Sequence, residues 1–178
     1  MTVVVRETKE TRIRLELTRG GGPATVATGL PFLDHMMITF ARYANLGITL
    51  EASGDLKHHL IEDVAIATGA AIAALGALEI ARYGDRTIPM DDALVTATLD
   101  VGGRAYYEGK LPSALYDHWM RSFAENAKTT LHIRVLRGTD RHHIVEAAFK
   151  AVGYALRDAL LESPGGFSTK GSVSMSVT

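Results

Sequence analysis

Two short segments of this sequence, 57–63 and 141–150, place a pair of histidines ahead of a glutamate. They read KHHLIED and RHHIVEAAFK, so the pattern HHxxE occurs twice in a chain that has only seven histidines. On a helix, residues four apart lie on one face, whereas sequence neighbours point about 100° apart. The first histidine and the glutamate can therefore bind one ion together, and the second histidine cannot easily join them. The pattern predicts two metal sites.

Two further histidines each follow an aspartate at the start of an apolar segment, in LDHMM and YDHWM. They are the natural candidates to complete the two sites. The predicted ligands are His35, His58, His59, Glu62, His118, His142, His143 and Glu146. The chain has no cysteine, so thiolate ligands are excluded. Imidazole with carboxylate suits manganese, iron, zinc or nickel better than calcium or magnesium.

The same residues belong to an internal repeat. Segment 33–44 aligns with 116–127 and segment 57–72 with 141–156, and each alignment contains six identities. Unrelated surface histidines have no reason to recur in the same order, so the repeat favours the metal interpretation. It predicts two halves, 1–84 and 85–178, within one compact duplicated domain. His132 has no histidine counterpart in the first half, and we interpret it as structural.

Elements that position these residues are suggested by hydrophobic periodicity. Strands are predicted at 3–9, 11–18, 46–53, 93–101, 104–109 and 130–136, and helices at 31–44, 58–82, 114–127 and 140–161. The glycines at 20–22 indicate a turn, and 83–92 is predicted to join the two halves. The expected fold class is therefore α+β, with helices covering the faces of sheets.

Composition excludes several classes of protein. Nineteen basic and twenty acidic residues give no global field that would attract nucleic acid or an anionic membrane. Segment 1–17 alternates charged and aliphatic residues, so we expect no signal peptide and a cytoplasmic location. The apolar segment 65–81 has charged residues close to both ends, which favours a buried helix over a membrane span.

With these motifs the sequence resembles the imidazoleglycerol-phosphate dehydratases over nearly its whole length. The matching segments are TKET at 8–11, TGLPFLDHM at 28–36, HHLIED at 58–63, RYGD at 82–85, LDVGGRAYY at 99–107, TLHIR at 130–134, HHIVEAAFKA at 142–151 and STKG at 168–171. The resemblance implies a duplicated fold like that of ribosomal protein S5 domain 2, with helices packed between two mainly antiparallel sheets. It also implies two Mn²⁺ ions per active site, and a 24-mer built from trimers with its sites at subunit interfaces.

The implied reaction converts imidazole glycerol phosphate into imidazole acetol phosphate by loss of water. Metal coordination would turn the substrate's ring into an imidazolate, whose electrons expel the hydroxyl. The resemblance gives acid–base work to Glu10 and a catalytic as well as a ligand role to Glu146. From the residues alone Glu10 is equally an exposed strand carboxylate, with Glu7 as the nearby alternative. The implied phosphate-binding residues are Arg82, Arg104, Lys150, Ser168 and Lys170.

Three features depart from the family pattern. The loop before the first HHxxE is short, Thr39 stands where glutamine is frequent, and Leu60 replaces a common threonine. Three other functions stay open at this point. They are a dimetal hydrolase acting on a small phosphorylated substrate, a metal-storage assembly without catalysis, and an RNA-binding module.

Overall fold

The structure is a computed structural model that describes residues 1–75 and 79–163. Its elements in chain order are β1 (Thr2–Glu7), β2 (Thr11–Arg19), β3 (Gly21–Ala27), α1 (Pro31–Tyr43), β4 (Leu46–Gly54), α2 (Lys57–Leu75), β5 (Tyr83–Met90), β6 (Ala93–Val101), β7 (Tyr106–Glu108), α3 (Ala114–Asn126), β8 (Thr129–Arg137) and α4 (Arg141–Ala159). The order βββαβα thus occurs twice.

Both repeats build the same four-stranded sheet. The strand orders are β1-β2-β4-β3 and β5-β6-β8-β7, and in each sheet only the last pair is parallel. Helices α1 and α2 pack on the first sheet, and α3 and α4 on the second. Between the sheets, α1 packs against α4 and α2 against α3. The predicted α+β duplication, with helices between two mainly antiparallel sheets, is confirmed. The boundary between 84 and 85 stays a prediction.

The central strand β2 shows why one face of its sheet packs against the helices. In β2, Ile13, Leu15 and Leu17 are fully buried, whereas Arg12 and Arg14, which alternate with them, are exposed. Side chains alternate between the two faces of a strand, so this pattern buries one face against the helices.

Two equivalent glycines allow the helices to cross closely. A Cβ atom on Gly69 of α2 would lie 2.6 Å from the carbonyl oxygen of Phe123 in α3. A Cβ atom on Gly153 of α4 would lie 2.9 Å from the carbonyl oxygen of Phe40 in α1. The repeat pairs these residues with each other, so the two helix crossings are the same contact made twice.

Two strands, β3 and β5, were not predicted from the sequence. Of the glycines predicted as a turn, Gly20 forms the bend after β2, whereas Gly21 and Gly22 begin β3. The predicted join between the halves is β5. Each is an edge strand that pairs with one neighbour only, β3 with β4 and β5 with β6. Edge strands tolerate glycine, proline and polar residues, which weaken the alternation that the prediction relied on.

Several predicted ranges were too long, by two or three residues in β1 and α4 and more clearly in two other segments. Residues 79–82, predicted as the end of a helix, are not helical: Ile80 forms a bridge with Glu162, and Arg82 has a φ of 71°. Strand β7 covers three residues of the predicted six.

Helix α2 contains the apolar segment that raised the question of a membrane. Among the described residues it alone is long and apolar enough to cross one, by length and composition. In the fold, 61% of an 18-residue apolar stretch of this helix is buried, and the helix packs against β1, β2, β4 and α3. This is the environment of a core helix.

Candidate metal centre

The first group of donors, which we name the α2–α3 cluster, consists of His58, Glu62 and His118. Nε2 of His58 lies 3.5 Å from Oε2 of Glu62, and Nε2 of His118 lies 3.3 Å from Oε1 of the same carboxylate. The two imidazole rings stack with centroids 5.3 Å apart. One ligand atom from each residue lies within 4.8 Å of the others, which is the spacing of donors around a single ion.

The second group, the α1–α4 cluster, consists of His35, His142 and Glu146. Oε2 of Glu146 lies 3.4 Å from Nε2 of His35 and 3.1 Å from Nε2 of His142. Helix α4 begins here because Asp140 caps it, accepting hydrogen bonds from the backbone N–H groups of His142 and His143. The cluster therefore lies in the first turns of α4.

Each cluster takes its third candidate donor from the other half of the chain. His35 of the first repeat joins His142 and Glu146 of the second, and His118 of the second joins His58 and Glu62 of the first. The sequence predicted His35 and His118 as completing ligands without assigning them to a partner. The crossing of α1 with α4 and of α2 with α3 decides the assignment.

The donors suit a divalent ion of the imidazole-binding type. Nε2 of His118 is buried and lies 3.3 Å from Oε1 of Glu62, but the pair is not aligned as a hydrogen bond and the described residues offer this nitrogen no other partner. Glu146 is also buried, with 8% of its side chain exposed. Burial acts to raise the pKa of Glu146, but the hydrogen bonds from Lys150 and His35 outweigh it and lower the pKa. The carboxylate is thus ionised and ready to bind a cation.

The second histidine of each HHxxE points away from its own cluster, as the helical geometry predicted. Nδ1 of His59 lies 2.9 Å from Asp55, and Nδ1 of His143 lies 2.8 Å from Asp92. The hydrogen bond with Asp55 raises the pKa of His59, and the one with Asp92 raises the pKa of His143. These carboxylates orient the imidazoles, which is a common arrangement around metal-ligating histidines.

Glu10 lies beside His59. Its carboxylate is 57% exposed and reaches within 3.6 Å of Nδ1 of His59. Glu10 directly precedes β2, as Asp92 directly precedes β6, so the two acids occupy equivalent turns. Asp92, however, accepts hydrogen bonds from the backbone of Thr139 and Asp140 as well as contacting His143. Of the two equivalent acids, Glu10 is the more exposed, at 57% against 40% for Asp92.

The aspartates of the two DH motifs have a different role from the histidines that follow them. Asp34 accepts hydrogen bonds from the backbone N–H and hydroxyl groups of Thr28, at 2.9 and 2.5 Å. Asp117 accepts from the hydroxyl of Tyr107 and the backbone N–H of Leu111, at 2.7 and 2.9 Å. Both carboxylates therefore fix the segment that leads into the helix, and so the position of the histidine one residue later.

An aromatic contact lies beside the α1–α4 cluster and was not predicted from the sequence. The ring of Phe32 lies 5.0 Å from that of His142 and 5.0 Å from that of Tyr116. Burial, and then the nearby charge of Asp34, raise the pKa of Tyr116 to about 12. Phe32 stands inside the FLDH motif, but an apolar residue at a helix start gives no signal that separates a site from a core.

The predicted phosphate-binding residues fall in different places. Lys150 donates to Oε1 of Glu146 at 2.8 Å, so it lies at the α1–α4 cluster. Arg82 pairs with Asp100 at 2.9 Å, and Arg104 is exposed in the loop before β7. Asp92 directly precedes β6 and Val101 ends it, and the backbone N–H of Val101 donates to the carbonyl oxygen of Arg82. With about 3.3 Å per residue, the two arginines lie roughly 30 Å along the sheet from the turn that contacts His143.

Other predicted positions complete this account. Ser168 and Lys170 lie outside the described residues. Thr39 and Leu60, which depart from the family pattern, are both buried. His132 lies on β8, 3.8 Å from Glu108, and belongs to neither cluster.

A family model and two sequence relatives point to one protein family. The family model of imidazoleglycerol-phosphate dehydratase matches residues 28–156. The imidazoleglycerol-phosphate dehydratase of Pyrobaculum aerophilum is 50% identical, with 94% of this chain and 97% of that protein covered, and that of Methanococcoides burtonii is 46% identical, with 94% and 96% covered.

Solved structures agree with the sequence relatives. A crystal structure of the enzyme from Pyrococcus furiosus in complex with (S)-C348 superposes with a TM-score of 0.85 at 38% identity, covering 96% of this chain and all of that one. The Staphylococcus aureus enzyme gives a TM-score of 0.81 at 30% identity, covering 92% of this chain and all of that one.

Proposed function

The chain belongs to the imidazoleglycerol-phosphate dehydratase family, and on this premise we propose that it removes water from D-erythro-imidazole glycerol phosphate to give imidazole acetol phosphate in histidine biosynthesis. The observation that carries the proposal is the pair of clusters, each with two imidazoles and one carboxylate drawn from both repeats. A dehydratase that must stabilise an anionic imidazole ring needs such donors.

Each cluster would hold one Mn²⁺ ion. His58, Glu62 and His118 would hold the first, and His35, His142 and Glu146 the second. Bound ions supply Lewis-acid stabilisation of the negative charge that builds on the substrate's imidazole ring. The protein's part is to fix the donors, which it does with helix starts held by Asp34, Asp117 and Asp140.

Glu10 is proposed to move the proton. Dehydration breaks a C–H bond and a C–O bond on adjacent carbons of the glycerol chain, and the resulting enol becomes the ketone. A carboxylate within reach of the metal-binding histidines can take the carbon-bound proton and return one to the departing hydroxyl. Glu10 meets this requirement, because its carboxylate is exposed and lies 3.6 Å from His59.

Complete sites are proposed to form between copies of the chain, in a 24-mer built from trimers. His59 and His143 face away from their own clusters, which supports their use in a site shared with another copy. Arg82 and Arg104 lie far along the sheet from the HHxxE turn, so a phosphate held by them would belong to such a shared site. Their guanidinium groups suit phosphate oxygens. We place the assembly in the cytoplasm.

A direct assay tests this function. The purified protein is given imidazole glycerol phosphate with Mn²⁺, or after chelation, and the enolisable ketone is measured. We expect ketone only with metal, and a loss of kcat of at least a hundredfold in Glu10→Gln. Glu7→Gln is the matched control, because Glu7 is a similarly exposed carboxylate that pairs with Arg12.

The same assay separates the competing functions. Release of inorganic phosphate in place of ketone would indicate a dimetal hydrolase. Metal binding with no turnover, and no difference between Glu10→Gln and Glu7→Gln, would indicate a storage assembly. Either result would refute the dehydratase proposal.

A further inference from the structure

The two clusters differ in how their carboxylates are used. Both oxygens of Glu62 face imidazoles, Oε2 toward His58 and Oε1 toward His118. In the other cluster only Oε2 of Glu146 faces His35 and His142. Its Oε1 accepts a hydrogen bond from Lys150 at 2.8 Å.

The side chain of Lys150 is largely buried. Only 14% of its side chain is exposed, its Nζ lies 3.1 Å from Sδ of Met90, and it stands 5.7 Å from the ring of Tyr43. These contacts hold the ammonium group beside Glu146. The repeat places Ile66 at the equivalent position, four residues after Glu62, so the α2–α3 cluster has no cation at that position.

We propose that the two ions bind with unequal affinity, and that Lys150 makes the α1–α4 cluster the weaker site. The inference rests on the proposed function, in which both clusters hold Mn²⁺. The α2–α3 cluster would fill first. The α1–α4 cluster would exchange its ion and would be the one whose occupancy follows the metal supply.

Two physical effects act in the same direction. An ammonium group within a few ångströms of a divalent cation repels it, and the repulsion is strong where both groups are screened from water. In addition, a carboxylate that gives one oxygen to an ammonium has a single oxygen left for the metal, whereas Glu62 has two. Together we expect a dissociation constant at least tenfold higher at the α1–α4 cluster.

Titration of metal-free protein with Mn²⁺ measures this directly, with free Mn²⁺ followed by its electron paramagnetic resonance signal. The wild type should bind two ions per chain in two classes that differ at least tenfold. Lys150→Met keeps the stem and removes the charge, so the two classes should come within about threefold of each other. Ile66→Lys places the same cation beside Glu62, so the tighter class should weaken at least tenfold.

Two further variants assign the classes. His35→Ala removes a donor from the α1–α4 cluster and should leave the tight class. His118→Ala removes a donor from the α2–α3 cluster and should leave the weak class. If Lys150→Met fails to fold, the comparison of Ile66→Lys with these two variants still decides the matter.

The outcomes separate this inference from the proposed function. Two ions bound with equal affinity, or two classes that neither Lys150→Met nor Ile66→Lys changes, would overturn the inference and leave the dimetal site intact. A wild-type protein that binds no Mn²⁺ would overturn the proposed function itself.

Discussion

The hydroxyl of Thr11 donates a hydrogen bond to the buried carboxylate of Asp63, although the two residues are far apart in the sequence. Arg6 contacts the other oxygen of Asp63 at 2.9 Å. The hydroxyl of Thr8 accepts from the backbone N–H groups of Glu10 and Thr11. Asp63 therefore ties the turn that carries Glu10 to the helix that carries the first HHxxE.

We predict that Asp63→Ala loosens this turn. It removes the acceptor for Thr11 and leaves Arg6 without its carboxylate, which should lower the free energy of unfolding by about 2 kcal/mol. Displacing Glu10 should lower kcat by roughly tenfold or more, with metal content unchanged. Denaturation, steady-state kinetics and metal analysis measure the three quantities.

A double-mutant cycle tests whether Asp63 acts through Glu10. In the Glu10→Gln background, Asp63→Ala should not lower kcat further, because its effect on the acid–base group has already been removed. Thr87→Ala is the control, since it removes a hydrogen bond between exposed hydroxyls on the second sheet. Additive effects of Asp63→Ala and Glu10→Gln on kcat would contradict the positioning role.

Each cluster combines donors from both repeats, which predicts how many Mn²⁺ ions the histidine variants bind per chain. His35→Ala and His118→Ala should each lower bound Mn²⁺ from two ions per chain to about one, although both residues lie outside the HHxxE motifs. His132→Ala is the matched control and should retain two ions, because His132 is in neither cluster. Metal content after gel filtration measures this, and two retained ions in His35→Ala would contradict the cluster.

The DH aspartates are predicted to be structural. Asp34→Ala removes the acceptor for both groups of Thr28 and should lower the free energy of unfolding by about 1–3 kcal/mol. Asp34→Asn keeps an acceptor oxygen and should recover much of that loss. Both variants should still bind two ions per chain. Loss of one ion from Asp34→Asn without a loss of stability would instead make Asp34 a ligand.

The close helix crossings at Gly69 and Gly153 predict whether alanine raises or lowers the free energy of unfolding. In an exposed helix, glycine to alanine stabilises by about 1 kcal/mol. Gly69→Ala and Gly153→Ala should instead destabilise, by about 1–3 kcal/mol each, because the new Cβ would meet backbone atoms of the facing helix. Chemical denaturation of the two variants should give similar losses. A gain of stability in either would show that the helices can separate without cost.

The local features of this protein were determined by its sequence. The spacing of His142 and Glu146 brings them together on one helix face, and the same spacing sends His143 elsewhere, because both follow from 3.6 residues per turn. The alternation of Ile13, Leu15 and Leu17 likewise determined a central strand with one buried face. The edge strands β3 and β5 escaped prediction because they pair on one side only and carry a weaker pattern.

Only the tertiary structure decided which residues meet across the repeat. No spacing in the sequence says that His35 joins Glu146 rather than Glu62, because His35 and His118 belong to identical DH motifs. The helix crossings at Gly69 and Gly153 decide it. The position of Lys150 against Glu146, and of Thr11 against Asp63, depends on packing between elements in the same way. Such contacts are set by the shape of the whole core, which the local periodicity of a chain does not contain.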